Sequence, residues 1–308
     1  MTLLNELLGT KYPIIQGGMA NIATGRFAAA CANAGALGLI GTGGIHSAEE
    51  LREEIRTARA LTEKAASADY QPLFGVNLML MNPCTEDFVK VCVEEKVPVV
   101  TTGAGNPGQY MEAFRAAGIK VIPVVGAPIL AKMMERMGAF AVIAEGCESG
   151  GHVGEMTTMT LVPQCVDTVS IPVIAAGGIA DHRQYTAAMA LGACGVQIGT
   201  ALLAAEECPI HENYKAALLK AKGSDAIVTG RIGGTPVRVL KNQMTVEYLK
   251  QEKAGADKME LEKFTLGSLR RAVFEGDVKT GSLMAGQVCG QLHDIRPVAE
   301  ILKDICQG

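Results

Sequence analysis

Two segments in the second half of the chain combine glycine with small polar residues directly after apolar runs. The segment AAGGIAD contains Gly177 and Gly178, and the segment QIGTAL contains Gly199 and Thr200. Main-chain amides of glycine, joined by a threonine hydroxyl, can bind a phosphate group because no Cβ atom blocks its approach. The two segments therefore predict a phosphate site, although a glycine pair can also simply end a strand.

One histidine is the strongest candidate for acid–base chemistry. His152 follows Gly150 and Gly151 shortly after an apolar run, and an imidazole can exchange a proton near neutral pH. The alternative is a histidine that caps a helix or faces solvent. Glu145, which ends the same apolar run, is either a buried carboxylate that binds a cofactor or an ordinary charge at the end of a strand.

Other apolar runs end in residues suited to a flat aromatic ring. A flavin ring needs close approach of the main chain and amide partners for its polar edge. The small and polar residues at these strand ends are Gly17, Gly18, Met19, Asn77, Thr101 and Thr102, of which Thr102 rather than Thr101 is the expected cofactor contact. No GxGxxG motif opens a helix after a strand, so a Rossmann dinucleotide site is not indicated.

Eight apolar runs alternate with segments of helical spacing, which predicts βα units and a parallel sheet. The runs are 13–18, 37–43, 73–80, 97–105, 120–127, 141–146, 172–178 and 195–202. Their nearly continuous Val, Ile and Leu content is typical of parallel strands that are covered on both faces. Eight such units predict an α/β fold, a closed (β/α)₈ TIM barrel with its active site at the carboxyl ends of the strands and a phosphate site after strands seven and eight.

The chain changes character after the eighth run, where it becomes more charged. The predicted units are a barrel that binds the cofactor over 1–205, a small appended lid subdomain for the substrate over 206–284, and a C-terminal segment over 285–308 that packs back on the barrel. Within the lid we expect a hairpin around Gly233 and Gly234 and a helix near 258–275. A final helix is expected over 295–306.

Composition excludes several classes of protein. With 48% hydrophobic and 19% charged residues, the chain must bury a large apolar surface and is not disordered. A net charge of −4 gives no general attraction to nucleic acid. The nine cysteines include no CxxC pair, which argues against a metal site or disulfides and for a reducing, cytoplasmic compartment. No stretch is apolar enough to suggest a membrane span or a signal peptide.

Eight segments carry a resemblance to a known family: GGMA (17–20), GVNLML (75–80), TTGAGNP (101–107), VIAEGCESGGHVGEMTTMTLVPQ (142–164), PVIAAGGIAD (172–181), QIGT (197–200), VRVLKNQMT (237–245) and GSLMAGQVCG (281–290). In this order they resemble the flavin-dependent enoyl-acyl-carrier-protein reductases of the FabK type. That family is part of a wider superfamily of nitronate monooxygenase-like FMN barrels. The GGHVGEMTTMTL and KNQMT segments favour the reductase.

The resemblance implies FMN as cofactor, NADH or NADPH as reductant, and a trans-2-enoyl thioester on acyl carrier protein as substrate. It identifies His152 with the proposed catalytic histidine of the family. The FMN contacts that it implies are Gly17, Gly18, Met19, Asn77, Gly150, Gly177, Gly178, Gly199, Thr200 and Gln287. A monovalent cation held by carbonyl groups near 283–285 and a homodimer both stay open.

The sequence departs from the family in two places. Ala201 and Leu202 follow the QIGT segment, where family members usually carry Arg-Phe, and residues 65–71 look like an insertion. Three alternatives to the reductase stay open: a nitronate monooxygenase, which oxidises alkyl nitronates on the same barrel; a phosphate-sugar isomerase or synthase; and a non-catalytic nucleotide-binding module.

The predicted lid also carries a set of basic residues. They are Arg231, Arg238, Lys241, Arg270 and Arg271. Because acyl carrier protein is acidic, these side chains could steer it toward the cavity by charge. The alternative is a set of solvated surface charges without a partner.

Overall fold

The structure is a computed structural model that describes residues 2–67, 70–232 and 235–308. Its strands are β1 (Ile14–Gln16), β2 (Leu37–Gly41), β3 (Leu73–Met79), β4 (Val99–Gly103), β5 (Lys120–Val125), β6 (Val142–Glu145), β7 (Gly151–His152), β8 (Val173–Ala176), β9 (Gly195–Ile198), β10 (Ala226–Thr229) and β11 (Val237–Leu240). Its α-helices are α1 (Leu4–Leu8), α2 (Gly25–Ala34), α3 (Ala48–Ala65), α4 (Thr85–Glu94), α5 (Met111–Ala116), α6 (Pro128–Arg136), α7 (Thr158–Thr168), α8 (His182–Ala190), α9 (Thr200–Leu203), α10 (Glu212–Lys220), α11 (Gln243–Lys253), α12 (Lys258–Thr265), α13 (Ser268–Arg270) and α14 (Val298–Gln307).

Eight parallel strands close into a barrel in the order β1-β2-β3-β4-β5-β6-β8-β9. Ile15 of β1 pairs with Leu37 of β2 on one side and with Gln197 of β9 on the other, which closes the sheet. Each of the eight strands predicted from the apolar runs is present, and each is shorter than its run, because residues at the ends of the runs belong to the loops. The predicted (β/α)₈ TIM barrel is confirmed.

The barrel interior is a packed core rather than a pore. Ile15, Leu39, Val99, Ile143 and Ile174 belong to one cluster of buried side chains that fills it, as expected for layered side chains inside such a barrel. Helix α1 covers the N-terminal end, where the Leu4 N–H donates to the Cys194 carbonyl at 2.8 Å. Space for a ligand is therefore left at the carboxyl end of the strands.

A second sheet joins the appended region to the barrel. Its order is β10-β11-β7 and its pairing is antiparallel. The strands of the predicted hairpin are therefore present as β10 and β11, while Gly233 and Gly234, around which we expected its turn, lie outside the described residues. The third strand was not predicted: His152 of β7 lies opposite Val237 of β11.

The predicted helix over 258–275 is interrupted. Helix α12 ends at Thr265, and Gly267 adopts a left-handed conformation with φ of 70° that breaks the helix before α13. A π-helical turn, Arg271–Glu275, follows directly. The predicted C-terminal helix is present as α14, which packs against α2 and α8.

The division of the chain into three units stays a prediction. Tyr214 and Leu218 of α10, a helix inside the predicted lid range, are fully buried in the same apolar cluster as the barrel helices. Within the described residues, no helix is long and apolar enough to span a membrane. Nor does any group of His, Cys, Asp and Glu among those residues form a metal site.

Helix α2 packs directly on strand β2, which gives a test of the packing. A Cβ atom added at Gly38 would lie 1.9 Å from the Ala28 carbonyl oxygen of α2, and main chain cannot move aside cheaply. We expect Gly38→Ala to lower the free energy of unfolding by roughly 1–3 kcal/mol, because overpacking forces backbone shifts. Denaturant titration measures the change. Gly126→Ala is the control, since nothing lies within 4 Å of its added Cβ; equal stability of the two variants would contradict the packing.

Candidate functional site

A cavity of about 440 Å³ lies at the carboxyl end of the barrel. Loops that follow the barrel strands form most of its wall, and Leu269, Met284 and Val288 from the C-terminal third complete it. Most of the predicted site residues line it: Gly17, Gly18, Met19, Asn77, Glu145, Gly150, His152, Gly177, Gly178, Gly199 and Thr200. The structure therefore brings together residues that are far apart in the sequence.

Thr102 and Gln287 are not among the residues that line the cavity. Side chains alternate along β4, so Thr101 shares the interior face of Val99 while Thr102 faces outward. The Thr101 hydroxyl, not that of Thr102, accepts a hydrogen bond from Asn77 Nδ2 at 2.9 Å. The Gln287 side chain is exposed, and its main-chain N–H donates to the Glu148 carbonyl at 3.0 Å.

Glycine is required at two places in the cavity wall, for a different physical reason at each. Gly177 and Gly178 have φ of 90° and 75°, a region where other residues are strained. A Cβ atom at Gly18 would lie 2.2 Å from Cγ of Asn77, so glycine is needed to let the Asn77 side chain approach. At Gly199, by contrast, the nearest atom to an added Cβ is Met19 Sδ at 3.8 Å. A side chain at Gly199 would enter open space beside the cavity.

Glu148 and Thr158 form an anchor that the sequence did not reveal. The Thr158 N–H lies 3.0 Å from each carboxylate oxygen of Glu148, to which it donates. The Thr158 hydroxyl oxygen lies 3.0 Å from Glu148 Oε2 and 2.8 Å from the Gly177 carbonyl oxygen. The first turn of α7 thereby connects the loop after β6 to the loop after β8. Both residues belong to the 142–164 segment that resembles the family. This resemblance was the sign of their role that the sequence offered.

Glu145 is the carboxylate at the end of β6. The side chain keeps partial access to the cavity, yet the surrounding protein desolvates it and raises its pKa to about 7. A carboxyl group with this pKa exchanges its proton near neutral pH. Of the two interpretations left open by the sequence, the structure favours a carboxylate of the cavity wall over an ordinary charge at a strand end.

His152 lies at the mouth of the cavity. Its main chain is fixed by pairing with Val237, and the next N–H, that of Val153, donates to the Pro236 carbonyl at 3.1 Å. His152 is exposed, while partial desolvation of its ring lowers its pKa below the ordinary value. The ring is therefore mostly neutral at pH 7 and gains a proton at lower pH.

Gln197 is a further wall residue that the sequence analysis did not single out. It is buried, it lines the cavity, and its Oε1 has no hydrogen-bond partner within the described part of the chain. A buried acceptor of this kind calls for a donor, and a ligand in the cavity can supply it. Its presence in the QIGT segment was the only signal in the sequence.

The basic residues expected to steer a partner do not form one surface set. Arg238 is buried at 6% exposure and donates to main-chain carbonyl groups, so its assignment to a docking surface is corrected. Arg231 pairs with Glu155 at 3.0 Å, and Arg270 lies over the ring of Phe274 at 5.0 Å. Lys241 is exposed, and Arg271 pairs with Asp277 at 3.7 Å.

The residues present fit a flavin mononucleotide. The cavity volume is within the range of small-molecule sites, glycines at the ends of β8 and β9 leave the main chain open to a phosphate, and Gln197 offers an unpaired acceptor to a polar ring edge. Asn77, held by Thr101, offers an amide beside Gly18. The wall thus has a phosphate end and a hydrogen-bonding end.

Comparison with known proteins places the chain in a family. The family model described as nitronate monooxygenase matches residues 1–308. The solved structure of FabK from Thermotoga maritima is 48% identical, covers 98% of this chain and 94% of its own, and superposes with a TM-score of 0.92. A probable nitronate monooxygenase of Staphylococcus saprophyticus is 32% identical over 93% of this chain and 91% of its own length.

A third relative is named for a coenzyme A thioester. It is the (3aS,4S,5R,7aS)-5-hydroxy-7a-methyl-1-oxo-octahydro-1H-indene-4-carboxyl-CoA dehydrogenase of Rhodococcus jostii (strain RHA1). It is 35% identical over 79% of this chain, and the match spans 66% of its own length, just under two thirds. The match over the whole chain, together with the barrel and its cavity, shows that this chain belongs to the nitronate monooxygenase family of FMN barrels, with a FabK structure among its similar relatives.

Proposed function

We propose that the protein is an FMN-dependent enoyl-acyl-carrier-protein reductase, in which NADH or NADPH reduces the trans-2 double bond of an enoyl thioester during fatty acid elongation. The observation that carries the proposal is the 48% identity with FabK over nearly the whole chain. The cavity supports it, because His152 lies at its mouth among the glycines and the amide expected to contact FMN.

The cavity residues divide between the two ends of the cofactor. Gly177, Gly178, Gly199 and Thr200 would hold the phosphate with main-chain amides and a hydroxyl. The polar ring would lie against the residues after β1 and β3, which are Gly17, Gly18, Met19 and Asn77, with Glu145 and Gly150 on the opposite side. Gln287 does not line the cavity, and its main-chain N–H already donates to the Glu148 carbonyl, so its contact with FMN stays a prediction.

The residues of this chain would complete the chemistry around the hydride. FMN, when bound, supplies to the β-carbon of the substrate the hydride that NAD(P)H provides. Negative charge then develops on the thioester oxygen, and the α-carbon must gain a proton. His152 holds that proton at the mouth of the cavity, where the substrate enters, and recovers it from solvent on its exposed side.

The partner that follows from this function is an enoyl thioester on acyl carrier protein. Leu269 of α13 lines the cavity while Arg270, its neighbour, is exposed, so the thioester arm would pass this segment. A monovalent cation near 283–285 stays a prediction. The Leu283 and Met284 carbonyl oxygens that it would use already accept hydrogen bonds from the Leu240 N–H and the Tyr214 hydroxyl, each at 2.8 Å.

A nitronate monooxygenase is the second candidate. The matching family model and the relative from Staphylococcus saprophyticus both carry that name. The barrel, the glycine-rich wall and the histidine serve either reaction, since both need a flavin and a group that exchanges a proton. The two functions differ in what reduces and what reoxidises the cofactor.

Gly199 gives a test of cofactor binding. Gly199→Ala adds a Cβ atom that meets no protein atom closer than 3.8 Å, so the packing of the FMN-free protein should not change. The same side chain would enter the phosphate end, and we expect FMN to bind at least about tenfold more weakly, equal to roughly 1.4 kcal/mol. Fluorescence titration with FMN measures the affinity, with Gly126→Ala as control. Unchanged affinity would place the phosphate elsewhere.

His152 gives a test of the proton step. In His152→Ala, reoxidation of the reduced enzyme by crotonyl-CoA should slow roughly 10²–10⁴-fold, the usual contribution of a proton donor, while reduction by NAD(P)H stays unchanged. Because desolvation lowers the pKa of His152, the wild-type reoxidation rate should rise as the pH falls and level off below a midpoint under about 6.5. Stopped-flow traces against pH measure both.

In His152→Ala, the rate of reoxidation by crotonyl-CoA should no longer depend on pH in this way. His293→Ala is the matched control, because His293 is exposed in the C-terminal loop. If His152→Ala reoxidises at the wild-type rate, water rather than His152 donates the proton.

One anaerobic experiment decides between the two candidate functions. NAD(P)H should bleach the FMN of the loaded protein, and addition of crotonyl-CoA in the absence of oxygen should restore its colour. Recovery follows because the enoyl thioester accepts the hydride in a reductase. Absorbance near the flavin maximum reports both steps. If NAD(P)H fails to bleach the protein but an alkyl nitronate does so, the protein is a nitronate monooxygenase.

A further inference from the structure

Arg238 of β11 is a buried cation whose hydrogen-bond partners are main-chain carbonyl groups. The residue is 6% exposed. Its Nε and Nη2 donate to the Cys147 carbonyl oxygen at 3.2 and 2.8 Å, and Nη1 donates to the Ala226 carbonyl oxygen at 2.7 Å. Burial of a guanidinium group is costly, and here desolvation lowers the pKa of Arg238. The cost of burying this guanidinium group suggests that Arg238 has a specific role at this position.

The position of Arg238 in the fold indicates what this role is. The β6–β7 loop, residues 146–150, begins just after Glu145 and ends at β7. The Arg238 side chain binds Cys147 near the start of this loop, and its main chain pairs with Gly151 at the end of it. One residue therefore holds both ends of the loop, and it also ties the loop to β10 through Ala226.

This loop carries much of the functional wall. Glu148, Ser149 and Gly150 line the cavity, and His152 follows directly in β7. Since β7 is only two residues long, its two pairs with β11 cannot by themselves define the path of the loop that precedes it. The bonds from Arg238 to Cys147 add a restraint near the start of the loop, beside the bonds that Thr158 and the Gln287 N–H make to Glu148 in its middle.

We propose that Arg238 is a positioning residue for His152: by binding the Cys147 carbonyl group while pairing with Gly151, it fixes the β6–β7 loop so that the imidazole faces the cavity. Arg238 does not touch the substrate and acts through His152. The effect on the proton step rests on the proposed function, whereas the effect on the position of His152 does not.

A double-mutant cycle separates positioning from a merely structural role. In the FMN-loaded enzyme, Arg238→Gln should slow reoxidation by crotonyl-CoA roughly 10–100-fold, since small misplacements of a reacting group have effects of this size, while reduction by NAD(P)H stays unchanged. In the His152→Ala background the same substitution should cost nothing further, because residues that act as one unit are not additive. An additional loss in that background would overturn the proposal.

Arg59→Gln is the matched control. Arg59 is partly buried and binds both the side chain and the main-chain carbonyl group of Glu95, on the outer surface between α3 and α4. Its loss removes a comparable set of hydrogen bonds without touching the β6–β7 loop. The measurements are made at a temperature at which circular dichroism shows that Arg59→Gln and Arg238→Gln are both folded. Under these conditions we expect Arg59→Gln to be reoxidised at the wild-type rate.

NMR of the histidine rings tests the position of His152 independently of any activity. In Arg238→Gln, the pKa of His152 should move up toward its ordinary value of about 6.5, because a loosened loop hydrates the ring, while the other four histidines titrate as before. Arg59→Gln should leave His152 unchanged. A His152 titration that is the same in Arg238→Gln and wild type would refute the positioning role.

Two further outcomes are decisive. Arg238→Lys keeps the charge but not the forked geometry, so it should lie between wild type and Arg238→Gln in both measurements. If both Arg238 variants fail to fold or to hold FMN, the residue is a general structural element and the proposal is wrong. If wild-type enzyme is not reoxidised by an enoyl thioester, the proposed function fails, and the NMR titration still decides the role of Arg238.

Discussion

The pairing of β1 with β9 is the constraint on which the cavity depends. Three residues of β1 pair in register with three of β9, and the Gly17 N–H then donates to the Ile198 carbonyl at 2.8 Å. Because these are the first and last strands of the barrel, the pairing closes the sheet and leaves no free edge. It also brings the glycines after β1 next to Gly199 and Thr200, so that these two segments form one wall of the cavity.

Much of this arrangement could be predicted from the sequence, since strand positions follow from apolar runs and the carboxyl ends of parallel strands meet at one end of a barrel. Prediction was less precise where a single residue matters. A shift of one position along a strand turns a side chain to the opposite face, and for this reason Thr101 rather than Thr102 contacts Asn77. Gln197 was missed because a glutamine in an apolar strand carries no local signature of an unpaired acceptor.

The sheet that holds His152 could not be predicted. Strand β7 is two residues long and pairs with β11, far along the chain, and so short a strand has no periodicity to read. Arg238 was assigned to the surface for a related reason: residue type alone favours exposure, because arginine is rarely buried without a partner. Its partners are main-chain carbonyl groups, which every residue has and which no sequence pattern reveals.

Desolvation shifts the pKa values of two wall residues in opposite directions, and both shifts favour the neutral form. It raises the pKa of Glu145 to about 7 and lowers that of His152, because burial disfavours whichever form is charged. Near pH 7 both groups therefore populate their neutral forms. The Glu148 carboxylate accepts hydrogen bonds from the Thr158 N–H at the start of α7. A reaction that develops negative charge on a thioester oxygen is opposed by an ionised carboxylate beside it. The wall reduces this opposition because burial raises the pKa of Glu145 and so keeps part of its population neutral near pH 7.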